Sequence, residues 1–126
     1  MHWKPHGYPS VSPYLIVADA EHTLAFAQQV FGATRLRLHR RADGGIKHAE
    51  TRIDDSVIMI GEMPNAPAAH LHVYVPDGDA TFAAALGAGA QVVQDMADAG
   101  DGDYRGGVAD KNGTIWWIAQ DRPSPE

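Results

Sequence analysis

The sequence predicts an α+β protein built from two tandem βαβββ modules, and three observations predict it. A strand-like run ending in Asp, followed by an amphipathic helix closed by Gly-Ala, occurs twice, over residues 13–33 and 70–90. Each helix is followed by three segments with the alternation of half-buried strands. Between the two occurrences stands a proline-rich stretch, Met63-Pro64-Asn65-Ala66-Pro67, which reads as a linker.

The elements follow in order. Residues 1–12 read as an N-terminal arm and 13–62 as the first module. Its first strand is Pro13 to Val17, and Asp19 is placed to cap a helix over 20–31, its carboxylate accepting from the first free N–H groups. Gly32 supplies the left-handed residue that ends the helix, and Leu24, Ala27 and Phe31 mark its apolar stripe. Strands are expected at Thr34–Arg40, Ile46–Ile53 and Ser56–Glu62, turned by Asp43-Gly44-Gly45 and Asp54-Asp55. Residues 63–69 form the linker.

The second module, residues 70–120, repeats the order. A strand from His70 leads to a helix over Asp79 to Ala88, capped by Asp77 or Asp79 and closed by Gly89, with Phe82 and Leu86 on its apolar side and Gly87 weakening it. Its strands are expected at Gln91–Gln94, Tyr104–Ala109 and Thr114–Gln120, with Asp95 to Asp103 as a loop and Asp110-Lys111-Asn112-Gly113 as a hairpin turn. Residues 121–126 read as a C-terminal tail. At 126 residues the chain is one domain's worth, so the modules are expected to place their helices outside and curl their mixed sheets into one cup.

Composition excludes several function classes. A net charge of −6 argues against nucleic acid, because phosphate contacts need a basic surface, and it favours neutral or cationic ligands. No apolar run is long enough for a membrane helix, and the N-terminus lacks a signal peptide's apolar core. With no cysteine there is neither a disulfide framework nor a thiolate, which suits a cytoplasmic protein. No Gly-x-Ser-x-Gly elbow or phosphate loop is present.

Strand alternation assigns faces. On the fifth strand Leu71, Val73 and Val75 belong to the core, leaving His70, His72 and Tyr74 on the polar face. On the first, Leu15 and Val17 are core and Tyr14 is not. On the second, Leu36 and Leu38 are core, opposite Arg35, Arg37 and His39. On the third, Ala49, Thr51 and Ile53 oppose His48, Glu50 and Arg52. Candidate ligand-binding residues are therefore Tyr14, Arg37, His48, Glu50, Arg52, His70, His72 and Tyr74. Tyr104 and Arg105 join them from the rim after the Asp101-Gly102-Asp103 turn, and Trp116 and Trp117 as one inward stacking plate and one core aromatic. His48 with Glu50 reads as an acid–base couple or as an ion pair that fixes the wall.

The phrases Ser12-Pro13-Tyr14-Leu15-Ile16-Val17, Phe31-Gly32-Ala33, His48-Ala49-Glu50, Val73-Tyr74-Val75-Pro76-Asp77 and Asp110-Lys111-Asn112-Gly113 before Trp117, in that order, resemble the glyoxalase/bleomycin-resistance proteins of the vicinal-oxygen-chelate superfamily, in their metal-poor, PhnB-like branch. Phe26-Ala27 departs from the family's usual Phe-Tyr. The resemblance implies a homodimer and a small organic ligand, with drug or toxin sequestration and antibiotic resistance among its uses. Family enzymes hold a divalent metal on first and last strands. Carried over, those positions fall near Ser12 or Tyr14, on Met59 or Ile60, on His70 or His72, and on Trp117. This implies a metal-independent binder without a cofactor. The alternative is a lyase, isomerase or dioxygenase holding zinc, iron or manganese on an atypical set of His48, Glu50, Glu62 and His72, with His70 beside it.

Overall fold

The computed structural model describes residues 3–122. Met1, His2 and residues 123–126, the extremes of the expected arm and tail, lie outside the described residues. The chain divides into two compact units, Met1–Pro67 and Ala68–Glu126. Each carries one helix and a four-stranded mixed sheet, so the α+β class and the tandem βαβββ order hold. Among the described residues no helix is long and apolar enough to cross a membrane.

In unit 1 the elements are β1 (Tyr14–Val17), α1 (Ala20–Phe31), β2 (Thr34–Arg40), β3 (Ile46–Ile53) and β4 (Ser56–Glu62), with sheet order β1-β4-β3-β2. Strand β1 runs parallel to β4, and the other pairs are antiparallel. Asp19 caps α1 by accepting from the His22 N–H at 3.0 Å, and Gly32 closes it at φ +69°, a left-handed conformation that a side chain would strain. The helix buries Leu24, Phe26, Ala27 and Val30 against a sheet face made by Leu15, Val17, Ala49, Thr51, Ile53, Ile58 and Ile60.

One expected face is corrected by a bulge. Arg35 pairs with Thr51 and Leu38 with Ala49, so β2 holds an extra residue between them and the alternation resets. Arg35 therefore turns to the helix side and meets Glu21 of α1 at 2.6 Å, instead of joining Arg37 and His39. Leu38 keeps the core face, but on an edge strand it stays 37% exposed.

Unit 2 repeats the order with β5 (His70–Tyr74), α2 (Gly78–Gly87), β6 (Gln91–Asp98), β7 (Asp103–Ala109) and β8 (Ile115–Asp121), arranged β5-β8-β7-β6. Asp77 is the helix cap, accepting from the Ala80 N–H at 3.1 Å, while Asp79 accepts from the Tyr104 hydroxyl. The buried side chain of α2 is Ala85 and Phe82 is half-buried, while Leu86, expected on the apolar side, is exposed. Strand β6 also runs four residues beyond the expected Gln94 and takes up half of the expected loop. Two register shifts, between Val92 and Gln94 and between Gln94 and Ala97, break the alternation that a sequence reading relies on. The bulged strand crowds β7: a Cβ on Gly106 would stand 2.8 Å from the Met96 sulfur and 3.0 Å from the Gln94 carbonyl.

Candidate functional site

The two sheets share one frame. The parallel registers pair Tyr14 with Met59 in unit 1 and His72 with Trp117 in unit 2, on the faces away from the helices. One strand further in, Met59 pairs with Glu50 and Trp117 with Gly107. Glu62 and Gln120 also match: each accepts from the first backbone N–H of its unit's helix, Ala20 or Gly78, at 2.8 Å.

On the polar face of unit 1 the structure brings together Tyr14, Arg37, His48, Glu50 and Arg52, and adds Tyr8 from the N-terminal arm. Glu50 is 2% exposed at its side chain. One of its oxygens accepts from the Tyr8 hydroxyl at 2.5 Å, the other from His48 Nε2 at 2.8 Å. Burial alone would raise the Glu50 pKa, but the hydrogen bonds from His48 and Tyr8, with the nearby charges of His48 and Arg37, outweigh it and hold the carboxyl below its ordinary value. His48 Nε2 donates to the ionised Glu50, and the other ring nitrogen, Nδ1, stands 3.3 Å from the Tyr14 hydroxyl. Gly61 makes room for that phenol; a Cβ there would lie 3.1 Å from the Tyr14 oxygen. The hydrogen bond to Glu50 raises the Tyr8 pKa, with burial acting in the same direction.

On the polar face of unit 2 lie His70, His72, Tyr74, Arg105 and Trp117, joined by Asp103, which the sequence reading sets in a turn. Tyr74 donates to Asp103 at 3.0 Å, Arg105 donates to Asp103 at 3.1 Å and to Asp101 at 2.6 Å, and His72 stands 3.8 Å from Asp103. The hydrogen bond to Asp103 holds the Tyr74 pKa above its ordinary value. Trp117 lies flat over Gly107, where a Cβ would fall 2.6 Å from its ring. Its indole N–H donates to His70 Nδ1 at 3.1 Å, and the His70 ring runs nearly parallel to it. His72, Gln94, Ala99, Arg105 and Trp117 line an open pocket of about 450 Å³.

Two expected candidates lie elsewhere. Trp116 has the opposite parity, is fully buried in the core of unit 2, and donates to Asp110 at 2.9 Å. Tyr104 shares the helix side and donates to Asp79 of α2 at 2.6 Å. Glu62 too serves the scaffold. It accepts from Ala20 N–H and from Ile46 N–H at 2.7 Å, and its strand parity places it across the sheet from His48 and Glu50. Tyr8 carries no periodic signal that a sequence reading could use, and Asp103 and Gln94 are hidden by the bulged β6–β7 pair.

The side chains at the paired positions offer a divalent metal few donors. Tyr14 with Met59 offers a phenol and a thioether, and His72 with Trp117 offers an imidazole and an indole. Only the imidazole suits zinc, iron or manganese near neutral pH. Among the described residues no group of three or more His, Asp or Glu side chains is gathered to hold an ion. These residues do not fit a divalent metal.

The family model of the Glyoxalase/Bleomycin resistance protein/Dioxygenase superfamily matches residues 9–118. The chain belongs to that superfamily. An uncharacterized Mycobacterium tuberculosis protein, Rv0887c, is 33% identical over 127 residues, covering 89% of this chain and 74% of its own. Among solved structures, the fosfomycin resistance protein FosX of Listeria monocytogenes superposes with a TM-score of 0.74 at 15% identity, covering 91% of this chain and 94% of its own. TioX of Micromonospora sp. ML1 superposes at 0.71 with 22% identity, covering 94% and 100%. Both likenesses are likenesses of fold.

Proposed function

We propose that the protein binds a planar small organic molecule without a metal, in the manner of a sequestering resistance protein. The observation that carries this reading is the open pocket of unit 2, where Trp117 presents an indole beside His72 and Arg105. An indole face attracts planar and cationic groups, and the energy is larger where water is excluded. The Arg105 charge is already met by Asp101 and Asp103, so the rim carries a surplus of carboxylate and favours a cationic ligand. Metal independence draws support from the donor chemistry at the four paired positions. A homodimer in the cytoplasm completes the reading, with light scattering expected to give twice the chain mass.

The experiment is a titration with ethidium, a planar aromatic cation, followed by calorimetry and thermal shift in the presence of a chelator. Saturable binding is expected, weakened about tenfold to a hundredfold by Trp117→Ala, as for loss of a central aromatic anchor. Binding unchanged by that substitution would remove the pocket from the reading. Stoichiometric zinc, iron or manganese in protein purified without chelator, lost on His72→Ala, would replace it with a metal-dependent enzyme.

A further inference from the structure

The N-terminal arm holds one aromatic side chain in a seat built for it, and that seat belongs to unit 1. Tyr8 places its hydroxyl on the buried Glu50 carboxylate, while Arg37 and Arg52 set their guanidinium carbons 5.2 and 5.9 Å from its ring centroid. The arm is otherwise lightly held. Among its described residues it forms no strand or helix, most are exposed, and Trp3 and Val11 are 82% and 85% exposed. A further tie to the sheet runs from Arg52 to the Gly7 carbonyl at 2.8 Å. Gly7 holds φ +81°, in a turn closed by Tyr8 N–H to the Pro5 carbonyl, so the chain can bring that carbonyl and the following ring to the sheet together.

We infer that the polar face of unit 1 is a binding site for a small hydroxyaromatic molecule, and that Tyr8 is its built-in occupant, displaced when such a molecule binds. The chemistry of the seat defines the class. Glu50 needs a hydroxyl donor because its second oxygen is already held by His48, and a nearly buried carboxylate oxygen left without a donor is costly. The two guanidinium groups need a π face. A phenol supplies both, and an alkyl alcohol or a plain arene supplies one. A segment whose described residues are mostly exposed opens at low free energy, so the seat empties often enough to exchange its occupant. This site shares no residue with the unit 2 pocket, so either proposal can fail alone.

The test uses 4-methylphenol, the free form of the tyrosine side chain, followed by amide and His48 imidazole NMR shifts. In the intact chain Tyr8 competes from a tether at roughly millimolar effective concentration, so Tyr8→Ala is expected to bind the phenol about tenfold more tightly than wild type. Toluene, which keeps ring and methyl but lacks the hydroxyl, is expected to bind Tyr8→Ala at least about tenfold more weakly than the phenol does. Tyr8→Ala/Glu50→Ala is expected to lose the phenol. A folded Tyr8→Ala protein without saturable shifts, or one that takes toluene equally well, overturns the proposal. Should Tyr8→Ala disturb folding, Tyr8→Phe keeps the ring and removes only the hydroxyl. It is expected to admit the phenol more readily than wild type, and its failure to do so overturns the proposal as well.

Discussion

The two units place different chemistry on one skeleton. Where unit 1 has Glu50 in its third strand, unit 2 has Gly107, and where unit 1 has Met59 in its last strand, unit 2 has Trp117. A carboxylate on that face must be satisfied, and it gathers His48, Tyr8 and, through the arm, a cover. A glycine asks for nothing and lets an indole lie down as a floor. Unit 1 therefore commits its polar face to internal bonds, while unit 2 keeps an open pocket. A duplicated fold can thus separate a filled site from an open one with two residues.

Four measurements sharpen the contrast, beginning with the largest effect. Asp110, in the β7–β8 turn, accepts from the Asn112 N–H at 2.9 Å, the Thr114 N–H at 3.1 Å and the buried Trp116 indole at 2.9 Å. Asp110→Ala should cost about 3 kcal/mol in urea unfolding, since three donors lose their acceptor. Asp55→Ala, in the corresponding exposed turn of unit 1, loses only the Ser56 hydroxyl and should stay within about 0.5 kcal/mol. Gly107→Ala drives a methyl into the Trp117 ring and should cost about 1–3 kcal/mol, with weaker ethidium binding because the plate is tilted. Ligand affinity unchanged in that variant would separate the pocket from its floor.

Glu62→Gln should cost about 1–2 kcal/mol, because the full charge at the start of α1 is lost and the amide offers one acceptor oxygen where Ala20 N–H and Ile46 N–H each use a separate carboxylate oxygen. Gln120 meets the start of α2 with its one amide oxygen, uncharged, and accepts the single N–H of Gly78 there. The remaining comparison is made by pH. Glu50 has its folded-state pKa below the ordinary value, since the bonds from His48 and Tyr8 outweigh the opposing effect of burial. The stability it contributes is therefore complete above the ordinary glutamate value of about 4.3 and disappears as pH falls through the folded value. Urea midpoints followed down from neutral pH should show this loss in wild type and not in Glu50→Gln.

Much of the fold is legible because punctuation and period agree. Asp19 and Gly32 bracket α1 where capping chemistry requires, and Asp77 repeats the signal for α2. Strands β2, β3 and β4 begin and end where their turns predict. The departures fall where an added residue breaks the alternation. Arg35 changes faces at the β2 bulge, and the second half of β6 resembles a loop because Gln94 to Asp98 holds no periodic apolar residues. Candidate residues on regular strands, such as His48, Glu50 and His72, lie on the side of their sheets that alternation predicts. Tyr8 is invisible in the sequence because an irregular arm has no period, and only the structure shows which side chain it lays down. Trp116 and Trp117 are equivalent in composition; the register with β5, which the sequence does not print, decides between them.

The bulges have a further consequence for the chain's behaviour in crowded solution. One lies in β2 and two in β6, each strand at an outer edge of its sheet, and Val92 and Val93 leave apolar surface on β6. A foreign strand laid along either edge meets a ladder that changes step within a few residues, so it cannot extend a continuous run of hydrogen bonds. The irregularities that obscure these strands in the sequence thereby guard them against fibrous self-association.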